Sequence, residues 1–168
     1  KRPVAELLSE LVTVEIDIAS APIFLPYLSG ERTPHNNVHA TGSFFNLNHE
    51  SDSAVMTYAV LEGVCFGFAD GIDALHAAGV SANEINVIGG GARSPFWRQL
   101  LSNIIGQPII YREAGEVGPG LGAAKLALCA HQTQKSFGDI FDSPPIVEQH
   151  MPEARVAEIY TKRRQMFK

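Results

Sequence analysis

The feature that most constrains this chain is a junction. A short β-like run, Glu84-Ile85-Asn86-Val87-Ile88, passes directly into Gly89-Gly90-Gly91-Ala92-Arg93-Ser94 and then into a helical pattern over residues 95–105. Ser94 suits the N-cap, and Pro95 suits the first helical position because proline lacks an amide that the first turn leaves unpaired anyway. A Gly-rich turn lets a ligand approach the backbone closely, and the free amides at a helix start attract anions. A second strand pattern follows at residues 107–111, and another Gly cluster, Gly118-Pro119-Gly120-Leu121-Gly122, opens a helix over residues 123–131. Alternating strands and helices predict an α/β layer structure with a nucleotide at the first Gly turn.

Upstream of the junction, residues 3–11 read as a short helix and residues 23–28 as an extended, buried segment that Pro26 keeps from being a central strand. Residues 29–42 have the composition of a long loop, and 43–47 that of a short strand. The longest helical pattern covers residues 51–79, with Ser51 or Ser53 as N-cap and Gly79 as the stop. Its apolar stripe runs through Tyr58, Leu61, Cys65, Phe68, Ile72 and Leu75, beside a second stripe of Gly63, Gly67 and Gly71. A glycine inside a helix costs about 1 kcal/mol relative to alanine, so three of them predict close packing against that face. Residues 136–151 hold turn residues without a period, and residues 152–167 form a closing helix whose Lys162, Arg163 and Arg164 suit the dipole of its C-terminal end.

Composition narrows the function. With 168 residues there is room for one domain, and 45% hydrophobic content is enough to build a core. Thirteen Lys and Arg against eighteen Asp and Glu leave a charge of −5, which argues against a nucleic-acid partner. No unbroken apolar run approaches the roughly 18 residues of a membrane span. Cys65 and Cys129 match no zinc or redox spacing and read as small core residues in a reducing cytoplasm. His35 and His39 have ligand spacing for a helix face, but Pro34, Asn36 and Asn37 place them in a loop.

The Gly turn alone leaves two enzymes open. Gly89-Gly90-Gly91-Ala92-Arg93-Ser94 nearly fits a dinucleotide fingerprint, with Glu113 about 20 residues further on, which keeps an NAD(P)-binding Rossmann-type oxidoreductase in play. Against it, Ser94 stands where Gly or Ala is expected. The second cluster reads as a helix start packed on the sheet, without the Lys of a P-loop. Phosphoryl transfer needs carboxylates, and Glu31, Glu62, Asp70 and Asp73 are available without a spacing that selects one.

Four segments in order resemble the xylulose kinases of the FGGY carbohydrate kinase family. They are Tyr27-Leu28-Ser29-Gly30-Glu31-Arg32-Thr33-Pro34-His35-Asn36, Val60-Leu61-Glu62-Gly63-Val64 with Ala69-Asp70-Gly71, the Gly89 turn through Gln99, and Gly118-Pro119-Gly120-Leu121-Gly122-Ala123-Ala124. Asn46, Val55 and Asn103 depart from the residues common at those family positions. The resemblance implies a partial actin-like ATPase (ribonuclease-H-like) domain, a mixed sheet with helices packed on it. Residues 1–168 are expected to be the C-terminal portion of the second, nucleotide-binding domain. It also implies a cytoplasmic enzyme, with neither nucleic acid nor membrane as partner, that transfers the ATP γ-phosphate to the 5-hydroxyl of D-xylulose. Gly89, Gly90, Gly91, Ala92, Arg93 and Ser94 would bind ATP or ADP. The Mg²⁺ ligands, the catalytic Asp, the sugar pocket and the whole first domain are expected outside this chain, which would be inactive alone. A homodimer is compatible with that reading, and a packing or regulatory module is the non-enzymatic alternative.

Overall fold

A computed structural model describes residues 2–131 and 136–168. Helix α1 (Val4–Thr13) leads into strand β1 (Ile23–Leu25), which ends one residue before Pro26 and pairs antiparallel with β2 (Ser43–Phe45). Between them residues 29–42 form the expected long loop, with a cis Thr33–Pro34 bond and backbone bonds between Glu31 and Asn37 in both directions. Helix α2 (Ser53–Ala77) follows. A second sheet holds β3 (Ile85–Asn86), β4 (Ile109–Arg112) and β5 (Ile146–His150) in that order, with α3 (Pro95–Ile105) crossing between the first two. Strand β4 lies parallel to β3 and antiparallel to β5, so the sheet is mixed. Helices α4 (Gly118–His131), α5 (Phe137–Ile140) and α6 (Ala154–Phe167) complete the order.

The core lies where α2, α3, α6, β1 and β4 meet, around Tyr58, Phe66, Leu101, Ile109 and Tyr160. It is not the α2 stripe expected from spacing. Tyr58 and Cys65 are buried, but Phe68 is 52% exposed and Leu75 51% exposed, while Glu62, Phe66, Ala69 and Asp70 face inward. Apolar periodicity misjudged the face because α2 is apolar around most of its circumference, and two of its buried positions carry acids. By length and apolarity α2 would suffice to cross a membrane, yet it is the central helix of this core. Its N-cap is Asp52, whose carboxylate accepts the Val55 amide at 2.9 Å, in place of Ser51 or Ser53. Gly79 does stop it: at φ +80° it lets the Val80 amide return to the Leu75 carbonyl and its own amide to His76.

The glycine stripe divides. A Cβ on Gly63 would lie 2.1 Å from the Phe24 carbonyl oxygen, so close packing of α2 on β1 requires glycine there. Gly67 is loosely approached by Pro26 and Gly71 by nothing within 4 Å. They line an open apolar groove of about 530 Å³ with Tyr27, Phe68 and Leu75.

Two elements arise where no period was visible. Strand β5 starts directly after Pro144-Pro145 and is mostly exposed, so it lacks the alternation that marks a half-buried strand. The four-residue α5 is announced only by its capping box, Ser136 and Asp139 bonding each other's amides. Helix α4 begins at Gly118, five residues before the expected start, and none of its residues is buried, so it is not packed on the sheet as expected. The basic residues of α6 also do more than complement a dipole. Arg163 is buried in an ion pair with Glu62, and Arg164 pairs with Asp70 and Asp73.

Candidate nucleotide-binding turn

Between β3 and α3 the chain makes one turn of 3₁₀ helix, Gly90–Arg93. Gly89 opens it at φ +94°, a conformation that side chains resist, and its amide bonds the Gly115 carbonyl at 2.8 Å. The helical ladder starts with Ala92 N–H donating to Gly89 at 3.1 Å, which leaves the Gly90 and Gly91 amides ahead of it. Ser94 then caps α3 as expected, accepting the Trp97 amide at 3.3 Å, with Pro95 in the first turn and Gly106 closing the helix at φ +73°.

A buried cation holds the turn from beneath. The Arg98 side chain, 2% exposed, donates to the Ala92 carbonyl, to Glu148 and, at 3.1 Å, to His150 Nε2. Its guanidinium also lies 4.3 Å from the centre of the Tyr111 ring. The hydrogen bond from Arg98 keeps the Glu148 carboxyl below the usual carboxylate range. The turn is thus bolted to β4 and β5 through a residue that sequence reading passed over. What would have flagged Arg98 is its place among apolar neighbours, Trp97, Leu100 and Leu101, on the inward face of α3.

The six expected residues separate by environment. Gly90, Arg93 and Ser94 line a groove of about 800 Å³, together with Pro95, Phe96 and Gln99 of α3. Its other wall is α1, through Val4, Ala5, Leu8, Ser9 and Val12, a contribution that only tertiary contact makes visible. A Cβ on Gly89 or Gly90 would meet nothing within 4 Å. One on Gly91 would touch the Trp97 ring at 3.4 Å, and Ala92 is fully buried. Within the turn, Gly90, Arg93 and Ser94 line the groove, Gly91 is exposed beside the Trp97 ring, and Ala92 alone is buried.

The four carboxylates considered for phosphoryl transfer are engaged elsewhere. Glu62 pairs with Arg163, Asp70 with Arg164, and Asp73 with Arg164 and Lys168, while Glu31 accepts the His35 amide at 2.8 Å. Asp70 Oδ2 also lies 3.9 Å from His35 Nε2, which ties the long loop to α2. Among the described residues no three His, Cys, Asp or Glu side chains converge as a metal site. Both cysteines are free, with Cys65 in the core and Cys129 half-buried on α4. In the second Gly cluster, Gly120 and Gly122 face open space, and only Gly118 is approached, by Ile88.

Comparison with known proteins agrees with this geometry. Residues 4–131 match the C-terminal domain of the FGGY family of carbohydrate kinases. The chain is 46% identical over 155 residues to the xylulose kinase of Escherichia coli (strain K12), covering 92% of this chain and 32% of that protein. It is 44% identical over 152 residues to the xylulose kinase of Klebsiella pneumoniae, covering 90% and 31%. The crystal structure of a xyloylose (xylulose) kinase from Brucella ovis superposes with a TM-score of 0.85 at 36% identity, covering 97% of this chain and 33% of that one. A gluconate kinase from Lactobacillus acidophilus gives a TM-score of 0.76 at 29% identity, covering 95% and 32%. The chain thus spans about a third of the length of the curated relatives it matches. The oxidoreductase alternative finds no support: β5 runs antiparallel in the sheet, and the neighbours are sugar kinases with the actin-like α/β fold. The turn, the capped helix after it and the mixed sheet belong to one lineage, and this chain is a member of the FGGY family of carbohydrate kinases, carrying its C-terminal domain.

Proposed function

We propose that the chain is the nucleotide-binding part of a cytoplasmic kinase that transfers the ATP γ-phosphate to the 5-hydroxyl of D-xylulose. The sugar is inferred from the named relatives of highest identity among those given above. The observation that carries the nucleotide reading is the groove beside Gly90, Arg93 and Ser94 at a helix start in a kinase domain. Gly90 lets the ligand approach the backbone, the free amides attract phosphate, and Phe96 with the α1 side chains offers an apolar wall for a base. Arg93 can stack on a planar ring. Mg²⁺ would travel with the phosphates of ATP, and its protein ligands, like the base that takes the sugar proton, are assigned to the part of the enzyme outside these residues. Engagement of Glu62, Asp70 and Asp73 in ion pairs supports that assignment.

Titration of the chain with ADP, followed by amide resonances, tests the site. The expected result is shifts at Gly90, Gly91, Arg93 and Ser94 that Gly90→Val removes, with no tighter response to NAD. Shifts confined to other residues, or a response unchanged by Gly90→Val, would make the turn purely structural.

A further inference from the structure

We propose that His150 of β5 is a positioning residue for the turn Gly90–Arg93, held neutral with its ring proton on Nδ1, and that charging this ring loosens the turn and weakens nucleotide binding. The consequence for binding rests on the nucleotide reading of the turn; the state of the ring rests on geometry alone. The His150 side chain is 14% exposed and sits between two hydrogen bonds whose directions are fixed. On one side, Arg98 Nε donates to His150 Nε2 at 3.1 Å. A guanidinium nitrogen only donates, so Nε2 presents its lone pair. The same guanidinium donates to the Ala92 carbonyl inside the turn.

On the other side a backbone amide sets the direction. Glu153 N–H, at the N-cap of α6, donates to Asn103 Oδ1 at 2.9 Å. That oxygen also accepts from Gln99 Nε2 at 2.9 Å, and the second Gln99 amide proton goes to the Met151 carbonyl at 2.8 Å. With both protons used, the Gln99 oxygen is the atom that faces His150 Nδ1, at 3.3 Å. A carbonyl oxygen only accepts, so Nδ1 carries the proton. The bonds through Asn103, Gln99, His150 and Arg98 therefore link the start of α6 to the turn beside the groove, with the donor of each fixed by a terminal group that cannot reverse.

A charged ring breaks the link to Arg98. Imidazolium carries a proton on Nε2 as well, so Arg98 Nε then meets a donor where it had an acceptor. Glu148 Oε2, 3.1 Å from Nε2, takes the new proton as a hydrogen bond. Its carboxyl remains ionised there, because the hydrogen bond from Arg98 keeps it below the usual carboxylate range. Two cations then compete for one carboxylate, and the one that holds Ala92 is a buried guanidinium over the Tyr111 ring. Among the described residues, Arg98 of α3, Glu148 of β5 and Tyr111 of β4 are the titratable or charged groups of this cluster, with Gln99 its neutral member. The bolted turn accepts only the neutral ring, so it is firm above the titration of His150 and loosens as pH falls through it.

The test compares the unmutated chain with His150→Gln, whose amide oxygen accepts from Arg98 but does not titrate, and with His150→Leu, which accepts nothing. Ring-nitrogen NMR shifts of the unmutated chain at about pH 8 should place the proton on Nδ1, and a proton on Nε2 overturns the proposal. The Ala92 and Ser94 amides close the turn on Gly89 and Gly91. Without nucleotide, they should exchange about 10-fold faster in the unmutated chain than in His150→Gln at about pH 5.5, and alike at about pH 8. ADP affinity should follow the same pattern, with His150→Leu about 10-fold weaker at both pH values, the scale of one hydrogen bond to a charged group. The phosphate of ADP titrates in the same range, so the ratio between two proteins is read at each pH. Equal exchange and equal affinity in the unmutated chain and His150→Gln at the lower pH overturn the proposal. If no protein binds ADP, the nucleotide reading fails, and the ring shifts and the exchange ratio decide the role of His150 without it. If His150→Gln does not fold, the Ala92 carbonyl shift of the unmutated chain decides: movement that tracks His150 titration supports the proposal, and its absence overturns it.

Discussion

Glu62 in the middle of α2 accepts two hydrogen bonds from Arg163 of α6, both at 2.6 Å, with neither side chain more than 2% exposed. The remaining guanidinium protons reach the carbonyls of Ala21 at 2.8 Å and Pro22 at 3.2 Å, just ahead of β1. Tyr58 and Tyr160 bridge the same helices at 3.0 Å, and burial pushes the Tyr160 hydroxyl up to about 12. Burial alone would lower the Arg163 pKa, but the Glu62 carboxylate outweighs it and holds the guanidinium above its usual value. One arginine thus fastens the last helix to the central helix and to the first sheet.

Removing one partner leaves a buried charge without compensation. Arg163→Met should destabilise the chain by about 3–5 kcal/mol, and Glu62→Gln should cost less because the amide still accepts one bond. Urea unfolding of both variants checks the order. Equal and small losses would mean that water replaces the pair.

The glycine stripe of α2 supplies a paired prediction. Gly63→Ala should destabilise by roughly 1–3 kcal/mol or more, because the new methyl runs into the Phe24 carbonyl. Gly71→Ala meets open space and should stabilise by up to about 1 kcal/mol through helix propensity. Thermal melts of the two single variants should therefore move in opposite directions.

Acid should weaken the tie of β5 to α3 through Glu148 and that of α2 to α6 through Asp73. The Arg98 hydrogen bond depresses Glu148 below its usual 4.5; burial alone would raise Asp73, but Lys168 and Arg164 bring it below its usual 3.8. A carboxyl with a depressed folded pKa contributes stability that is complete above the unfolded value and lost as pH falls through the folded one. Urea midpoints should be level above about pH 5 and fall below about pH 4. Glu148→Gln should make that fall shallower; an unchanged slope would assign the acid limb to other groups.

The cap of α3 sets the approach to the candidate site. Ser94→Ala removes the acceptor of the Trp97 amide and should cost about 1 kcal/mol, while Ser94→Asp should keep the helix and weaken ADP binding by placing a negative charge in the groove. Melting temperature and ADP titration on both variants separate capping from binding.

Local chemistry made the turn legible. Gly89-Gly90-Gly91 followed by Ser94-Pro95 specifies a tight turn, an N-cap and a helix start from backbone geometry and one side-chain oxygen, all within a few residues. Gly79 and Pro26 were readable for the same reason, since each acts on its own backbone. Which face of α2 is buried was not legible, because a helix with apolar residues on most sides takes its inward face from what packs on it, here β1, α3 and α6. The partners of Glu62 and Asp70 lie about a hundred positions away on α6, a distance no local pattern spans. Strand β5 exists because β4 presents an edge to it, and the α1 wall of the groove because α1 packs beside α3. Turns and caps are decided by neighbours in sequence; buried faces, ion pairs and the walls of the groove are decided by neighbours in space.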